Sequence, residues 1–117
     1  MKTDKNNSII YIACPANLAT GGPYLLHQLA NKLIQMGYNA KMFYTYVTIN
    51  KNPVHEFYED MKIPYSIEIE NNSANLLIMP EILTNFIFKY DTIKKVIWWL
   101  SVDGFFTSEN KKPSLRN

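Results

Sequence analysis

Three small residues, Thr20, Gly21 and Gly22, directly precede a predicted helix. Glycine has no Cβ and lets a ligand approach the backbone, and the N–H groups and dipole at a helix start attract anions. The pattern favours contact with a phosphate, and a plain tight turn is an equally open alternative. The spaced glycines of a dinucleotide fingerprint and the Gly-Lys-Ser/Thr end of a P-loop are both absent from the sequence.

A second group of polar and aromatic residues follows the last predicted strand: Ser101, Asp103 and Phe105. A carboxylate beside aromatic rings suits a sugar, because the acid accepts hydrogen bonds from hydroxyls and the rings cover C–H faces. A simple turn at Asp103 and Gly104 is the alternative, and it is slightly favoured. Glu81 follows another predicted strand. The favoured interpretation is a favourable charge at a helix start, and the alternative is a ligand contact.

The remaining reactive side chains indicate no catalytic or metal-ligand spacing. His27 is predicted on the polar face of a helix, in contact with solvent, and His55 is predicted at the surface. Cys14 ends an apolar strand without a histidine nearby in sequence, so we expect a buried, unreactive thiol. We therefore expect no metal.

The elements that position these residues begin with a strand over residues 9–14, an unbroken apolar run, and a helix that reaches to about residue 35. Pro23 suits the first helical turn and Gly37 suits the left-handed position past the end. Spacing at 100° per residue predicts a buried half of the helix that contains Leu25, Leu26, Leu29, Ala30, Leu33 and Ile34.

Later patterns predict strands over residues 40–47, 65–69, 75–79 and 95–102, with the third near a sheet edge. Asn52 with Pro53, and Pro80 with Glu81, each predict a helix start. The order predicts an α/β fold: a doubly wound, mostly parallel sheet of about five strands, Rossmann-like, with the first strand beside the fourth. Ligands bind such sheets at the carboxyl ends of the strands, where four segments are expected to meet: residues 15–22, 47–52, 80–81 and 101–106.

Bulk composition indicates one domain. The 117 residues are 47% hydrophobic and 19% charged, which is ordinary for a globular protein. We expect a polar arm over residues 1–7, a domain over 8–106 and a polar, flexible or truncated tail over 107–117. The net charge of +2 is scattered and indicates no nucleic acid. A single cysteine, and no apolar stretch near the start that reaches about 18 residues, favour a cytoplasmic protein.

Residues 8–106 resemble the N-terminal, acceptor-side Rossmann-like domain of bacterial glycosyltransferases of the GT-B type, including capsule and lipopolysaccharide sugar transferases. The segments IIYIACPANLATGGPYLLHQLANKLIQMGYNAKMF, NLLIMPEI and KVIWWLSVDGFF carry the resemblance. It implies that the diglycine loop, Thr20 to Gly22, approaches the diphosphate of a nucleotide-sugar, which is a substrate and not a cofactor. It places Glu81, Ser101, Asp103 and Phe105 on the acceptor side.

The resemblance also sets limits. The paired-glutamate donor domain of the family is not in this sequence, so we expect an incomplete half of a GT-B architecture that is inactive alone. The family's histidine near a late strand is replaced by Ser101 and Asp103, which leaves the catalytic residue unassigned. Expected partners are a nucleotide-sugar and a glycan or lipid-linked acceptor, with peripheral contact at the inner face of the membrane and self-association through an open sheet edge. The alternative is a non-catalytic α/β module that binds a nucleotide, a sugar or a protein.

Overall fold

The computed structural model describes residues 8–17, 21–48 and 51–98 of the chain. These residues form a five-stranded, entirely parallel sheet. The strands are β1 (Ile9–Pro15), β2 (Asn39–Thr45), β3 (Tyr65–Ser66), β4 (Leu76–Pro80) and β5 (Lys94–Trp98). The spatial order β3-β2-β1-β4-β5 confirms the predicted α/β Rossmann-like fold with the first strand beside the fourth.

The connections cover both faces of this sheet. Helix α1 (Gly21–Gln35) joins β1 to β2, and a first 3₁₀ helix (Glu56–Met61) lies between β2 and β3. A second 3₁₀ helix (Glu81–Phe88) joins β4 to β5. The winding reverses between β1 and β4, so the point at which doubly wound sheets bind ligands lies between these two strands.

Alternate residues of the strands enter two separate cores, as the period of two requires. Ile12, Cys14 and Met42 pack with Leu26 and Ala30 of α1 on one face. The core on the other face contains Tyr11, Ala13, Phe43, Leu77, Met79, Leu83 and Ile93. Because both faces are covered, β1 is an apolar run rather than an alternating one, and its prediction from the sequence is confirmed.

Helix α1 ends as the sequence predicts. Gly37 has a φ of 96°, in the left-handed region that favours glycine. Its N–H donates to the Ile34 carbonyl at 3.0 Å, and the Tyr38 N–H donates to the Leu33 carbonyl at 3.0 Å. These two bonds form a Schellman motif, which satisfies carbonyls that the helix end would leave without partners.

The predicted helix after Asn52 and Pro53 is wrong in type and start. The Asn52 side chain accepts a hydrogen bond from the Val54 N–H at 3.0 Å, which closes a local turn instead of capping an α-helix. His55 caps the first 3₁₀ helix by accepting from the Phe57 N–H at 3.0 Å. His55 is partly exposed, and it has a structural role as this cap that the sequence did not predict.

Two further predicted elements are shorter or different in the structure. The predicted strand over 65–69 pairs with β2 only at Tyr65 and Ser66, although its place at the sheet edge is confirmed. The predicted helix from Pro80 to residue 90 is the second 3₁₀ helix, with a kink at Leu83. Pro80 itself belongs to β4. The part of the last predicted strand beyond Trp98 lies outside the described residues.

Replacement of Lys62 with glycine is expected to stabilise the fold by about 0.5–1 kcal/mol. Lys62 follows the first 3₁₀ helix with a φ of 49°, a left-handed conformation that costs free energy for a residue with a Cβ. Thermal unfolding of Lys62→Gly and Lys62→Ala separates backbone strain from loss of charge. Only the glycine variant is expected to gain stability, and an equal gain in Lys62→Ala would contradict the explanation.

Candidate functional site

The carboxyl ends of the parallel strands form one edge of the sheet, called here the carboxyl edge. Pro15 at the end of β1 is in register with Thr45 at the end of β2, and Pro80 of β4 is in register with Trp98 of β5. The segments that follow these strands therefore start at the same edge. This confirms the sheet geometry on which the predicted ligand site depends.

The glycine pair lies at this edge, but in the helix rather than before it. Gly21 and Gly22 are the first two residues of α1, so the predicted diglycine loop is in fact the first helical turn. The helix begins two residues earlier than Pro23 suggested. Pro23 is compatible with this start, because it is still among the first four residues of the helix, whose N–H groups have no helical partner. Thr20 lies outside the described residues.

Space above the first turn of α1 is open on one side. Gly21 is exposed, and a Cβ added there would have no neighbour within 4 Å. Gly22, by contrast, is buried against the protein. The positive end of the helix dipole lies at this turn and favours an anion there, and packing does not require glycine at position 21.

Glu81 is the other predicted site residue that the structure describes. It directly follows Pro80 at the carboxyl edge and starts the second 3₁₀ helix, where it is half-buried. Its helix-start position is as predicted, and it follows β4, the strand adjacent to β1. Ser101, Asp103 and Phe105 lie outside the described residues, so their proposed proximity to the glycine pair stays a prediction.

His27 differs most from its prediction. The sequence predicted a solvent-facing side chain, but His27 is 1% exposed. Its Nδ1 lies 2.7 Å from the Pro23 carbonyl oxygen and its Nε2 lies 2.7 Å from the Tyr44 hydroxyl. The ring stacks on Tyr58 with centroids 3.7 Å apart and an angle of 4° between the planes. His27 therefore joins α1 to β2 and to the first 3₁₀ helix.

A signal for this burial exists in the sequence. His27 precedes Ile34 by seven residues, which is about two helical turns, and precedes Ala30 by three, so all three lie on neighbouring parts of one helix face. Leu25, assigned to the buried half, is 38% exposed. The buried stripe is thus rotated toward His27, and the hydrogen-bond partner that permits a histidine there comes from β2.

The partners of His27 determine its proton positions. A carbonyl oxygen only accepts, so Nδ1 carries the proton and donates to Pro23, while Nε2 accepts from the Tyr44 hydroxyl. Burial lowers the pKa of His27, the bond to the Pro23 carbonyl acts in the opposite sense, and the charge of His55 lowers the pKa further. Burial raises the pKa of the Tyr44 hydroxyl. The pair is therefore neutral at neutral pH, and each group has its partner.

Stability is expected to decrease as the pH falls below about 6.5, the ordinary pKa of histidine. Because the folded-state pKa of His27 is lowered, the unfolded chain binds a proton at higher pH than the folded chain does. The contribution of His27 to the free energy of unfolding is therefore fully present above pH about 6.5, and it declines as the pH falls toward the folded-state pKa. Urea unfolding at pH 7.5 and pH 5.5 measures the change.

The matched variant for this test is His27→Phe, which keeps a ring against Tyr58 but has no proton to gain. We expect its free energy of unfolding to change less than that of the native chain over the same pH interval. His55→Gln serves as the control for the second histidine. An identical pH dependence in the native chain and His27→Phe would show that His27 is not the group responsible.

Further buried polar atoms surround this cluster. Within the described residues, the Thr45 and Tyr58 hydroxyls are buried without a hydrogen-bond partner. Cys14 is fully buried, its thiol donates to the Pro15 carbonyl at 3.3 Å, and burial raises the pKa of the thiol. The prediction of a buried Cys14 is confirmed, and a protonated thiol is a poor nucleophile.

Within the described ranges no group of three or more histidine, cysteine, aspartate or glutamate side chains is arranged to hold a metal ion. In the same part of the chain, no helix has the length and apolar character to cross a bilayer. Comparison with protein-family models, curated proteins and solved structures gives no significant match.

Proposed function

We propose that this chain forms the acceptor-side domain of a glycosyltransferase that transfers a sugar from a nucleotide-sugar donor to a glycan or a lipid-linked acceptor. The observation that carries the proposal is the open first turn of α1 at the carboxyl edge, next to the strand pair at which the sheet winding reverses. A diphosphate placed there would meet helical N–H groups with no Cβ at Gly21.

The same geometry limits what the chain does alone. Sugar transfer needs stabilisation of the charge that develops on the leaving diphosphate, and one helix start supplies little of it. We therefore assign most donor contacts to a second domain, as in the GT-B architecture, and expect this chain to bind a nucleoside diphosphate weakly and to transfer no sugar.

A titration with uridine diphosphate tests the proposal. We expect a dissociation constant in the millimolar range, near the −4 kcal/mol of a weak contact, with the largest NMR shifts at the Gly21 and Gly22 amides. Gly21→Asp places a carboxylate where the diphosphate would lie, so it should weaken binding at least fivefold while it favours the helix. Gln35→Glu is the matched control, because it adds the same charge about 20 Å away at the other helix end.

Two outcomes would overturn the proposal. Shifts that are absent at Gly21, or that are unchanged in Gly21→Asp, would remove the helix start as a diphosphate contact. Binding tighter than about 10 µM would contradict the assignment of donor recognition to a second domain and would favour a self-sufficient nucleotide-binding module.

A further inference from the structure

A groove at the edge of the sheet lies away from the β1 and β4 pair. It is called here the β2–β3 groove, has a volume of about 650 Å³ and is lined by Val47, Thr48, Lys51, Pro53, Tyr65, Ser66 and Ile67. This volume is within the range of about 300–1,000 Å³ that is typical of small-molecule sites. The groove lies beyond the ends of two strands, next to the sheet's edge strand.

Apolar side chains that remain exposed make up much of the groove. Val47, Tyr65 and Ile67 are 37%, 47% and 54% exposed. Tyr65 is held in place by an edge contact with the buried ring of Tyr44, with centroids 5.5 Å apart. A fixed aromatic ring with free surface favours a second planar ring, by offset or edge contact.

One cation is placed beside these rings. Among the lining residues that the structure describes, Lys51 is the single charged one. Its backbone N–H donates to the Thr48 carbonyl at 3.1 Å. No ion pair or hydrogen bond involves its ammonium group within the part of the chain that the structure describes.

Glu68 directly follows the lining residue Ile67 in the sequence, but its side chain does not line the groove. Burial and, after it, the charge of Glu68 raise the pKa of Tyr90, which packs in the core on the opposite face. The Ser66 hydroxyl donates to the Glu68 carbonyl at 2.6 Å and accepts from the Glu68 N–H at 3.1 Å. Ile67, between these two residues, is exposed beside the groove.

The backbone beside the groove has an unfavourable conformation. Tyr46, between β2 and Val47, has a φ of 54°, in the left-handed region that costs a residue with a Cβ about 1–2 kcal/mol. The turn places Val47 and Thr48 in the groove wall. The hydrogen bond from the Asn17 N–H to the carbonyl of Pro53, another lining residue, joins the groove to the segment that follows β1, at 2.9 Å.

We propose that the β2–β3 groove binds a small ligand that carries a planar ring and an anionic group, with the ring against Tyr65 and Ile67 and the anion at the Lys51 ammonium. Phosphate and carboxylate are the two anionic chemistries that a lysine binds readily. This inference does not depend on the proposed sugar transfer, because the groove and the first turn of α1 are formed by different residues.

Phenyl phosphate is the first probe, because it combines a ring with an anion, and inorganic phosphate and benzyl alcohol each supply one of these features. We expect phenyl phosphate to shift the amide resonances of Lys51 and Ile67 and to bind at least fivefold tighter than either single-feature probe. Benzoate in place of phenyl phosphate shows whether the anion is carboxylate or phosphate, and preferential binding of either supports the proposal.

Two variants test the two contacts. Lys51→Gln is expected to weaken phenyl phosphate binding about fivefold and to remove its salt dependence, as for loss of an exposed ion pair. Tyr65→Leu keeps an apolar side chain without the ring and is expected to weaken binding to a similar extent. Lys94→Gln is the matched control, since exposed Lys94 lies on β5 at the other edge of the sheet.

Three results would overturn the proposal: equal affinity for inorganic phosphate and phenyl phosphate, an equal effect of Lys94→Gln and Lys51→Gln, or a dimer that covers Tyr65 and excludes phenyl phosphate. The last result would make the groove an interface between copies of the chain. Uridine diphosphate binding is measured from the Gly21 amide shift, and phenyl phosphate binding from the Ile67 amide shift. If one of the two proposals fails, the result for the other can therefore still be interpreted.

Discussion

The variant His27→Ala is expected to lose about 4 kcal/mol of unfolding free energy, from truncation of a packed ring and loss of a buried hydrogen bond. The His27 ring contacts Tyr58 at 3.7 Å between centroids and accepts from the Tyr44 hydroxyl at 2.7 Å. Alanine leaves a cavity beside Tyr58 and a buried hydroxyl without a partner. Single domains are commonly stable by only about 5–15 kcal/mol, so much of the margin would be lost.

Urea unfolding at pH 7.5, followed by tryptophan fluorescence, measures this loss. If the alanine variant does not fold, Tyr44→Phe provides a milder test, because it removes only the donor to His27 and is expected to cost about 1–2 kcal/mol. His55→Ala is the matched control: it removes a helix cap at a half-buried position and is expected to cost about 1 kcal/mol. Equal losses in His27→Ala and His55→Ala would contradict the central role of the buried ring.

The sheet order was predictable from the sequence because each part of it follows from local signals and general rules. The apolar run of β1, the Gly37 helix end and the short parallel connections leave few arrangements with right-handed crossovers. The position of the glycine pair and Glu81 at one edge follows from the same rules. Within the described residues, this part of the candidate site is therefore a consequence of strand direction.

The environment of His27 was not predictable in the same way. Its burial depends on a tyrosine of β2 and a tyrosine of the first 3₁₀ helix, which are 17 and 31 residues away in the chain. A polar residue beside an apolar stripe is assigned to solvent unless a partner is known, because unpaired burial costs free energy. The β2–β3 groove likewise depends on the pairing of Tyr65 with Met42, which is a tertiary contact.

The 3₁₀ helices show a different limit. Apolar residues at helical spacing predicted an α-helix in the first segment, and Pro80 with Glu81 predicted one in the second. The structure has a 3₁₀ helix in each. His55 supplies a cap three residues later than Asn52 and leaves only six residues before Lys62 ends the turn. A segment this short gains little from an α-helical hydrogen-bond ladder, so packing of Tyr58 against His27 decides its geometry.

At the amino ends of the strands, Asn75→Ala is expected to lower the free energy of unfolding by about 2–3 kcal/mol. Asn75 is 3% exposed. Its Oδ1 accepts from the Ile9 N–H at 2.9 Å, and its Nδ2 donates to the Glu70 carbonyl at 3.2 Å. Its own carbonyl accepts from the Lys94 N–H at 3.3 Å. One side chain thus joins the start of β1 to the chain that enters β4, and its removal leaves a partly buried N–H without a partner.

Chemical denaturation of Asn75→Ala beside Asn72→Ala measures the contribution. Asn72 is exposed, and its side chain accepts from the Ala74 N–H at 2.8 Å, so loss of this side chain should cost less than about 1 kcal/mol. Hydrogen exchange adds a local readout: the Ile9 amide should lose protection in Asn75→Ala and keep it in Asn72→Ala.

Because Asn75 lies at the edge opposite to the candidate sites, uridine diphosphate and phenyl phosphate binding by the folded variant should be unchanged. A variant that remains as stable as the native chain, with Ile9 still protected, would mean that water replaces the amide and that the link between β1 and β4 rests on strand pairing alone.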